Sequence, residues 1–149
     1  DYPAVQDILK YVVDKGKSQV KNRSRVGQNL YMRGVFNSVL IAESIRTAQE
    51  KYGNRVINGE EMRWGMENLN LTSARMAEIG LSGFTNPIKV SCDDHANNGP
   101  IYIQQWNGTG WERVSGWISS MDRVRPMLEK AAADYKAKNN IPNRTIPCS

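Results

Sequence analysis

The stretch NLYMRGVFNSVLIAESIRTAQEKYG, residues 29–53, carries a long helical pattern and ends on a glycine. Its apolar residues recur at three- and four-residue intervals from Val35 to Tyr52, so they share one face of a helix, while charged residues occupy the other sides. Gly53 supplies the stop, because glycine readily adopts the left-handed backbone on which many helices end. The pattern predicts one long amphipathic helix over residues 35–52.

Shorter patterns lie on both sides of this helix. Upstream, apolar residues between Pro3 and Gly16 recur at helical spacing, whereas residues 17–28 lose the periodicity and hold four basic and no acidic residues, as exposed connectors do. Downstream, the sequence predicts helices from Asn58-Gly59, from Thr72 or Ser73 to Ile79 and from Pro126, a strand at 88–90, and a hairpin of 101–106 with 111–114. This order indicates a helix-rich α+β chain, and the parallel strands of any α/β fold would have to come from sequence not shown.

Composition excludes several classes of protein. The chain has 149 residues, of which 40% are hydrophobic and 23% charged, with a net charge of +5, close to the globular average and unlike collagen-like or disordered sequences. The longest apolar candidate for a membrane span, residues 35–45, is short and interrupted by polar residues, so we expect no integral membrane segment. The first residue is Asp1 rather than Met, so we expect that any targeting segment was removed or never included.

The number of cysteines and histidines limits which metal sites the chain could form. Cys92, Cys148 and His95 cannot complete a usual four-ligand site without carboxylates, so no metal and no other cofactor are predicted. The two cysteines form either two free thiols or one disulfide, and an oxidising compartment would favour the disulfide.

Cys92-Asp93-Asp94-His95 places a thiol, two carboxylates and an imidazole in four consecutive residues. Neighbouring side chains point in different directions, whereas catalytic groups are normally assembled from distant segments. A turn with Asp side chains bonded to nearby backbone N–H groups is the favoured interpretation. No catalytic residue is therefore predicted.

A basic segment, residues 10–25, could attract nucleic acid through its Lys and Arg side chains. It lacks the interleaved aromatic residues of a single-strand stacking platform and any DNA-reading motif, so we favour a solvated connector and predict no nucleic-acid partner. Next to it, Asn29, Tyr31, Arg33 and Phe36 combine a planar cation with aromatic and amide groups. Arg offers a fork of donors for a carboxylate and Tyr an apolar face with a hydroxyl, but core and surface roles explain these residues equally well.

Five segments together resemble one known family. They are LYMRGVFNSVLIAESIRTAQEKYG (30–53), GEEMRWGMENL (59–69), VSCDDH (90–95), QQWNGTGWERVSGW (104–117) and AAADYKAKNNIPNRTIPC (131–148). In this order they resemble the C-terminal part of bacterial ABC-transporter solute-binding proteins of the branched-chain amino acid (Leu/Ile/Val) type. The resemblance implies a type I periplasmic-binding-protein fold, with two doubly wound α/β lobes, of which this chain is a C-terminal fragment.

The resemblance also implies a function and its partners. It implies a periplasmic receptor without enzymatic activity or cofactor that binds an amino acid, amide or aromatic acid between its lobes and delivers it to ABC permease subunits. Tyr31 and Arg33 would contact the ligand, with Arg33 on its carboxylate, and Asn29 and Phe36 would lie nearby. The oxidising periplasm favours a Cys92–Cys148 disulfide. The resemblance also implies a division of the chain into five parts: the end of the second lobe (1–17), a hinge crossing (18–30), first-lobe helices and a short strand (31–96), a hinge-proximal hairpin (97–117), and the C-terminal helix and tail (118–149). The missing N-terminal part of the protein would supply the rest of both lobes.

Three other functions stay open on the sequence. The first is a ligand-binding sensory domain of a signalling protein, which would share the same lobes. The second is a nucleic-acid-binding domain that uses the basic segment. The third is an amidase-like enzyme with Cys92 as its nucleophile.

Overall fold

The architecture comes from a computed structural model that describes residues 2–95, 99–119, 121–142 and 148. The chain divides into two compact units, residues 1–95 and 96–149. Both units combine helices with short strands, which agrees with the α+β prediction. In the described residues the strands form two separate antiparallel pairs, so the doubly wound sheet implied by the resemblance is not seen in them.

The first unit holds four helices and one strand pair among its described residues. α1 spans Pro3–Ile8 and continues as a π-helical turn, Leu9–Val13, and a 3-10 turn covers Arg23–Arg25. The other elements are α2 (Asn29–Tyr52), α3 (Gly59–Glu67), β1 (Asn70–Leu71), α4 (Ser73–Glu78) and β2 (Ile88–Lys89). β1 and β2 run antiparallel, with Asn70 opposite Lys89 and Leu71 opposite Ile88.

Helix starts follow the capping residues of the sequence where such residues exist. The Asn58 side chain accepts a hydrogen bond from the Glu61 N–H, and the Glu61 side chain accepts one from the Asn58 N–H, so α3 begins with a capping box. Thr72 caps α4 in the predicted way. The long helix α2 begins at Asn29, six residues before the prediction, because Met32 belongs to the buried core. Tertiary packing therefore extends this helix through a turn that lacks a side-chain cap.

The core of this unit joins α1, α2, α4 and the strand pair. Its buried members come from all of these elements or the loops beside them: Val5, Met32, Leu71, Met76 and Leu81. Aromatic rings close one side, with the Phe36 and Phe84 centroids 5.1 Å apart and Tyr2 edge-on to Phe84 at 5.3 Å. Apolar burial of this kind is the main term that stabilises a small fold.

α2 and α3 approach closely at a single glycine. A Cβ atom added to Gly65 would lie 2.2 Å from the Ser44 carbonyl oxygen and 3.0 Å from the Ala48 Cβ. Ser44 and Ala48 are both buried on the facing side of α2. The contact therefore requires a residue without a side chain at position 65.

A buried carboxylate ties α2 to α4. Glu43 is 5% exposed and receives two hydrogen bonds from Arg75, at 2.8 Å to Oε1 and 3.1 Å to Oε2. Arg46 Nε donates to Oε2 as well, at 2.8 Å. The Arg75 guanidinium beside it, helped by Arg46, lowers the pKa of Glu43 although burial opposes this. Glu43 is therefore a paired internal charge that fixes the position of α4.

The second unit contains the predicted hairpin. β3 (Gln104–Trp106) pairs antiparallel with β4 (Trp111–Arg113), and Trp106 faces Trp111. The Asn107 side chain accepts hydrogen bonds from the Thr109 and Gly110 N–H groups, which shapes the turn that the sequence indicated.

The last helix, α5, spans Met121–Lys138 and begins five residues before the predicted start at Pro126. Pro126 thus lies inside the helix, where its missing N–H removes one backbone hydrogen bond. Asp122 in the first turn interacts favourably with the helix dipole and supports the earlier start. No helix within the described residues combines the length and the apolar character needed to cross a bilayer.

The predicted disulfide is present. Cys92 and Cys148 are the two cysteines of the chain, and both are disulfide-bonded.

Candidate functional site

An open cleft of about 910 Å³ lies beside the N-terminal end of α2 in the first unit. The connector and the first turn of α2 line it, and most of the lining side chains are exposed. The lining residues are Gln19, Val20, Lys21, Asn22, Arg25, Gln28, Leu30 and Tyr31. We call this the connector cleft.

Local hydrogen bonds give the connector its shape. Asn22 accepts from both the N–H and the hydroxyl of Ser24, which starts the 3-10 turn that carries Arg25. Gly27 has φ of +92°, and a Cβ placed there would meet the Val5 side chain at 3.4 Å. A glycine at this position therefore lets the connector pass over α1 and enter α2.

The cleft is electropositive. Arg23 is bound to Asp14, whereas neither Lys21 nor Arg25 forms an ion pair with any residue that the structure describes. The first turn of α2 has no acidic residue and Gln28 provides no side-chain cap, so the positive end of the helix dipole is not neutralised locally. Backbone N–H groups at such a helix start attract anions. The arrangement suits a small molecule that carries a carboxylate or another anionic group.

The four ligand contacts implied by the resemblance lie in different places. Tyr31 is half-buried and lines the connector cleft together with Lys21 and Arg25. Asn29 and Arg33 are exposed at the start of α2 but are not among the residues that line the cleft. Phe36 packs against Phe84 in the core.

Lys21 and Arg25 line the cleft although the sequence pattern did not predict them as ligand contacts. The signal was available as a run of basic residues without acidic partners, but such a run is most often a solvated face. The fold brings this run next to Tyr31, which supplies the aromatic group that the segment itself lacks.

The Cys92–His95 segment forms a turn, as predicted. The Asp94 N–H donates to both the carbonyl and the hydroxyl oxygens of Ser91, at 3.2 Å and 3.0 Å. The His95 Nε2 atom lies 3.4 Å from the Glu67 Oε1 atom. Because Cys92 is disulfide-bonded, its sulfur is not available as the nucleophile of an amidase-like enzyme.

Comparison with known proteins gives one informative similarity. No protein-family model and no curated protein matches the chain. A solved crystal structure described as an ABC transporter permease from the Pseudomonas fluorescens group is 36% identical, with a TM-score of 0.85. The match covers 99% of this chain and 36% of the solved chain, so this chain spans about a third of the length of that protein.

This similarity corrects the family and the function implied by the resemblance. The similar protein is an ABC transporter permease and not a solute-binding protein, so both the assignment to the branched-chain solute-binding proteins and the role of a solute receptor are wrong. The broader relationship to ABC transporters and to transport is supported. A likeness in the motifs of one segment does not identify the whole protein. It does not identify the role of that protein in an assembly either.

Proposed function

We propose that this chain is part of the permease of an ABC transporter and that its connector cleft binds small anions. The observation that supports the transporter role is the 36% identity over 99% of the chain to a protein described as an ABC transporter permease. The activity, substrate and partners of the whole protein are part of the proposal, since the chain spans about a third of that protein. Other subunits of the transporter are its proposed partners.

The chemistry of the cleft supports a carboxylate as the anionic group. Arg25 can donate two parallel hydrogen bonds to a carboxylate, and Lys21 adds a second positive charge on the same cleft. Tyr31 and Leu30 offer apolar surface to the body of the molecule. Arg33 and Asn29, on the adjacent first turns of α2, are proposed to contact the ligand from the rim.

The proposed role is non-catalytic and extracytoplasmic. The disulfide supports an oxidising compartment such as the periplasm, because cytosolic thiols are kept reduced. We further propose that other sequence of the whole protein contributes the parallel strands of a two-lobed, doubly wound α/β fold around these elements.

The test of the cleft uses benzoate as a carboxylate probe and benzamide as its neutral counterpart. We expect benzoate to bind weakly, because the cleft is open, and to shift the NMR signals of Tyr31 and Leu30, while benzamide shifts them less. Raising the salt concentration should weaken benzoate binding, since exposed charges are screened.

A pair of double variants provides the matched control. Lys21→Gln/Arg25→Gln should weaken benzoate binding by about three- to tenfold, the range for two exposed charge contacts. Lys15→Gln/Lys89→Gln removes the same charge from exposed residues outside the cleft and should leave the affinity near that of the wild type. Equal losses in both variants would reduce the effect to net charge and contradict the site.

A further inference from the structure

The turn of the β3–β4 hairpin holds an asparagine followed directly by a glycine. Asn107 and Gly108 are both exposed, and the Gly108 backbone has a φ of +103°. A Cβ atom at Gly108 would meet nothing within 4 Å, so the space beside its peptide unit is open. Among the described residues, no acceptor takes a hydrogen bond from the Gly108 N–H. The Gly108 nitrogen is therefore an exposed group with room to move.

Three hydrogen bonds converge on the side-chain oxygen of Asn107. The N–H groups of Thr109 and Gly110 donate to Oδ1 at 2.9 Å and 2.8 Å, and the Thr109 hydroxyl donates at 3.0 Å. These bonds fold the amide over the turn that contains Gly108. Donors on a carbonyl oxygen stabilise the negative charge that forms there when a nucleophile attacks the carbonyl carbon. The Asn107 Cγ atom is therefore an activated electrophile next to the Gly108 nitrogen in the chain.

We propose that Asn107 is a site of spontaneous deamidation, through attack of the Gly108 nitrogen on the Asn107 Cγ atom. The N–Cγ bond forms while the Gly108 nitrogen loses its proton, the Cγ–Nδ2 bond breaks, and Nδ2 leaves with that proton as ammonia. The product is a cyclic succinimide. Water then opens the ring at Cγ to give aspartate, or at the main-chain carbonyl of residue 107 to give isoaspartate. The net change is uptake of a water molecule and release of ammonia, and it is independent of the connector cleft.

The modification changes the hairpin in two ways. In the unmodified turn, Asn107 Nδ2 donates to Glu112 Oε1 at 2.5 Å. Either product replaces this donor by a carboxylate, which repels Glu112 across the hairpin. Isoaspartate also lengthens the backbone of the turn, on which the pairing of Trp106 with Trp111 depends. We therefore expect deamidation to weaken the β3–β4 pair.

Asn58–Gly59 provides an internal control, because it has the same two residues in another setting. Asn58 is the N-cap of α3, and its Oδ1 atom accepts a hydrogen bond from the Glu61 N–H. Attack by the Gly59 nitrogen would pull the first residue out of the helix and break the capping box. We therefore expect Asn58 to react more slowly than Asn107. The Asn–Gly pair at 98–99 includes a residue outside the described part of the chain, and peptide mapping separates it from the other two.

Mass spectrometry of peptides from the full chain measures the reaction at each asparagine separately. After incubation in mildly alkaline buffer, we expect Asn107 to deamidate at least about tenfold faster than Asn58, because the alignment of reacting groups changes rates by this much or more. In urea both pairs lose their structure, so their rates should become similar. Equal rates in the folded chain would overturn the proposal. A ratio of the two rates that stays the same in urea would overturn it as well, because the difference would then come from the neighbouring sequence.

Substitutions at Thr109 test the role of the converging donors. Thr109→Val keeps the shape of the side chain without its hydroxyl and should slow the deamidation of Asn107 about two- to tenfold, the range for loss of a hydrogen bond. Thr109→Ser keeps the hydroxyl and should react at the rate of the wild type. An unchanged rate in Thr109→Val would overturn the proposed activation by these donors.

The deamidated fraction carries an additional negative charge and can be isolated by ion exchange. Hydrogen exchange at the β3 and β4 amides should be faster in this fraction than in the unmodified protein. Equal exchange in the two fractions would overturn the predicted weakening of the hairpin.

Discussion

Gly65→Ala is expected to destabilise the first unit, although alanine is the better helix former. The added Cβ would lie 2.2 Å from the Ser44 carbonyl oxygen and 3.0 Å from the Ala48 Cβ. The closest atom belongs to the backbone of α2, which cannot rotate away as a side chain would. α3 must therefore shift away from α2, which loosens the packing along the interface between the two helices.

The size of the effect follows from two opposing terms. Overpacking of a close contact costs about 1–3 kcal/mol, with the upper end expected where backbone is in the way. Alanine regains about 1 kcal/mol over glycine within a helix. The free energy of unfolding of Gly65→Ala should thus fall by about 2 kcal/mol.

Gly34→Ala is the matched control in α2. A Cβ at this position would meet no atom within 4 Å, so only the helix preference changes and the variant should gain about 0.5–1 kcal/mol. Urea unfolding followed by circular dichroism measures both variants under one condition. A Gly65→Ala protein as stable as the wild type would refute the close helix contact, and destabilisation of Gly34→Ala to the same extent would show that the loss does not come from packing.

Three further predictions concern charges, caps and the disulfide. Arg75 lowers the pKa of Glu43 in the folded state, so this pair contributes stability above the ordinary glutamate pKa of about 4.3 and loses it as the pH falls through the lowered value. Glu43→Gln should therefore lower the free energy of unfolding by about 1–3 kcal/mol at pH 7, and the difference from the wild type should shrink in acid titrations followed by urea unfolding. Asn58→Ala should cost about 1 kcal/mol through loss of the α3 cap, and a melting temperature equal to that of the wild type would contradict the capping box. The Cys92–Cys148 bond closes a loop of about 55 residues and should stabilise the chain by roughly 4 kcal/mol, less any strain; thiol titration of the denatured, unreduced protein should find almost no free thiol, and two per chain would refute the bond.

Elements with strong local signals could be predicted from the sequence. The caps at Asn58 and Thr72 and the turn at Asn107–Gly110 fix their backbone through side chains only a few residues away, and all three occur as predicted. The start of α2 could not be placed, because Gln28 offers no cap and the turn is held by the burial of Met32 against other elements. The start of α5 was displaced because proline normally marks a first helical turn, whereas here it lies within the helix.

The candidate site was only partly visible in the sequence. Tyr31 was selected for its chemistry and does line the connector cleft, but its cationic neighbours there, Lys21 and Arg25, belong to a segment that resembles a solvated connector. The contact between Glu67 and His95 left no local signal in the sequence, because the two residues are 28 positions apart in the chain and meet only through the fold. The motifs that suggested a solute receptor describe one segment, and a segment can serve proteins with different roles.

Transport by cells that carry or lack the gene for this protein is the most direct test of the proposed role. The parent strain, a deletion strain and the deletion strain complemented with the gene would be compared for uptake of a panel of labelled small carboxylates. We predict that deletion abolishes uptake of at least one carboxylate, that the wild-type gene restores it, and that the Lys21→Gln/Arg25→Gln gene restores it poorly while the Lys15→Gln/Lys89→Gln gene restores it fully. Unchanged uptake of every carboxylate in the deletion strain would contradict the account.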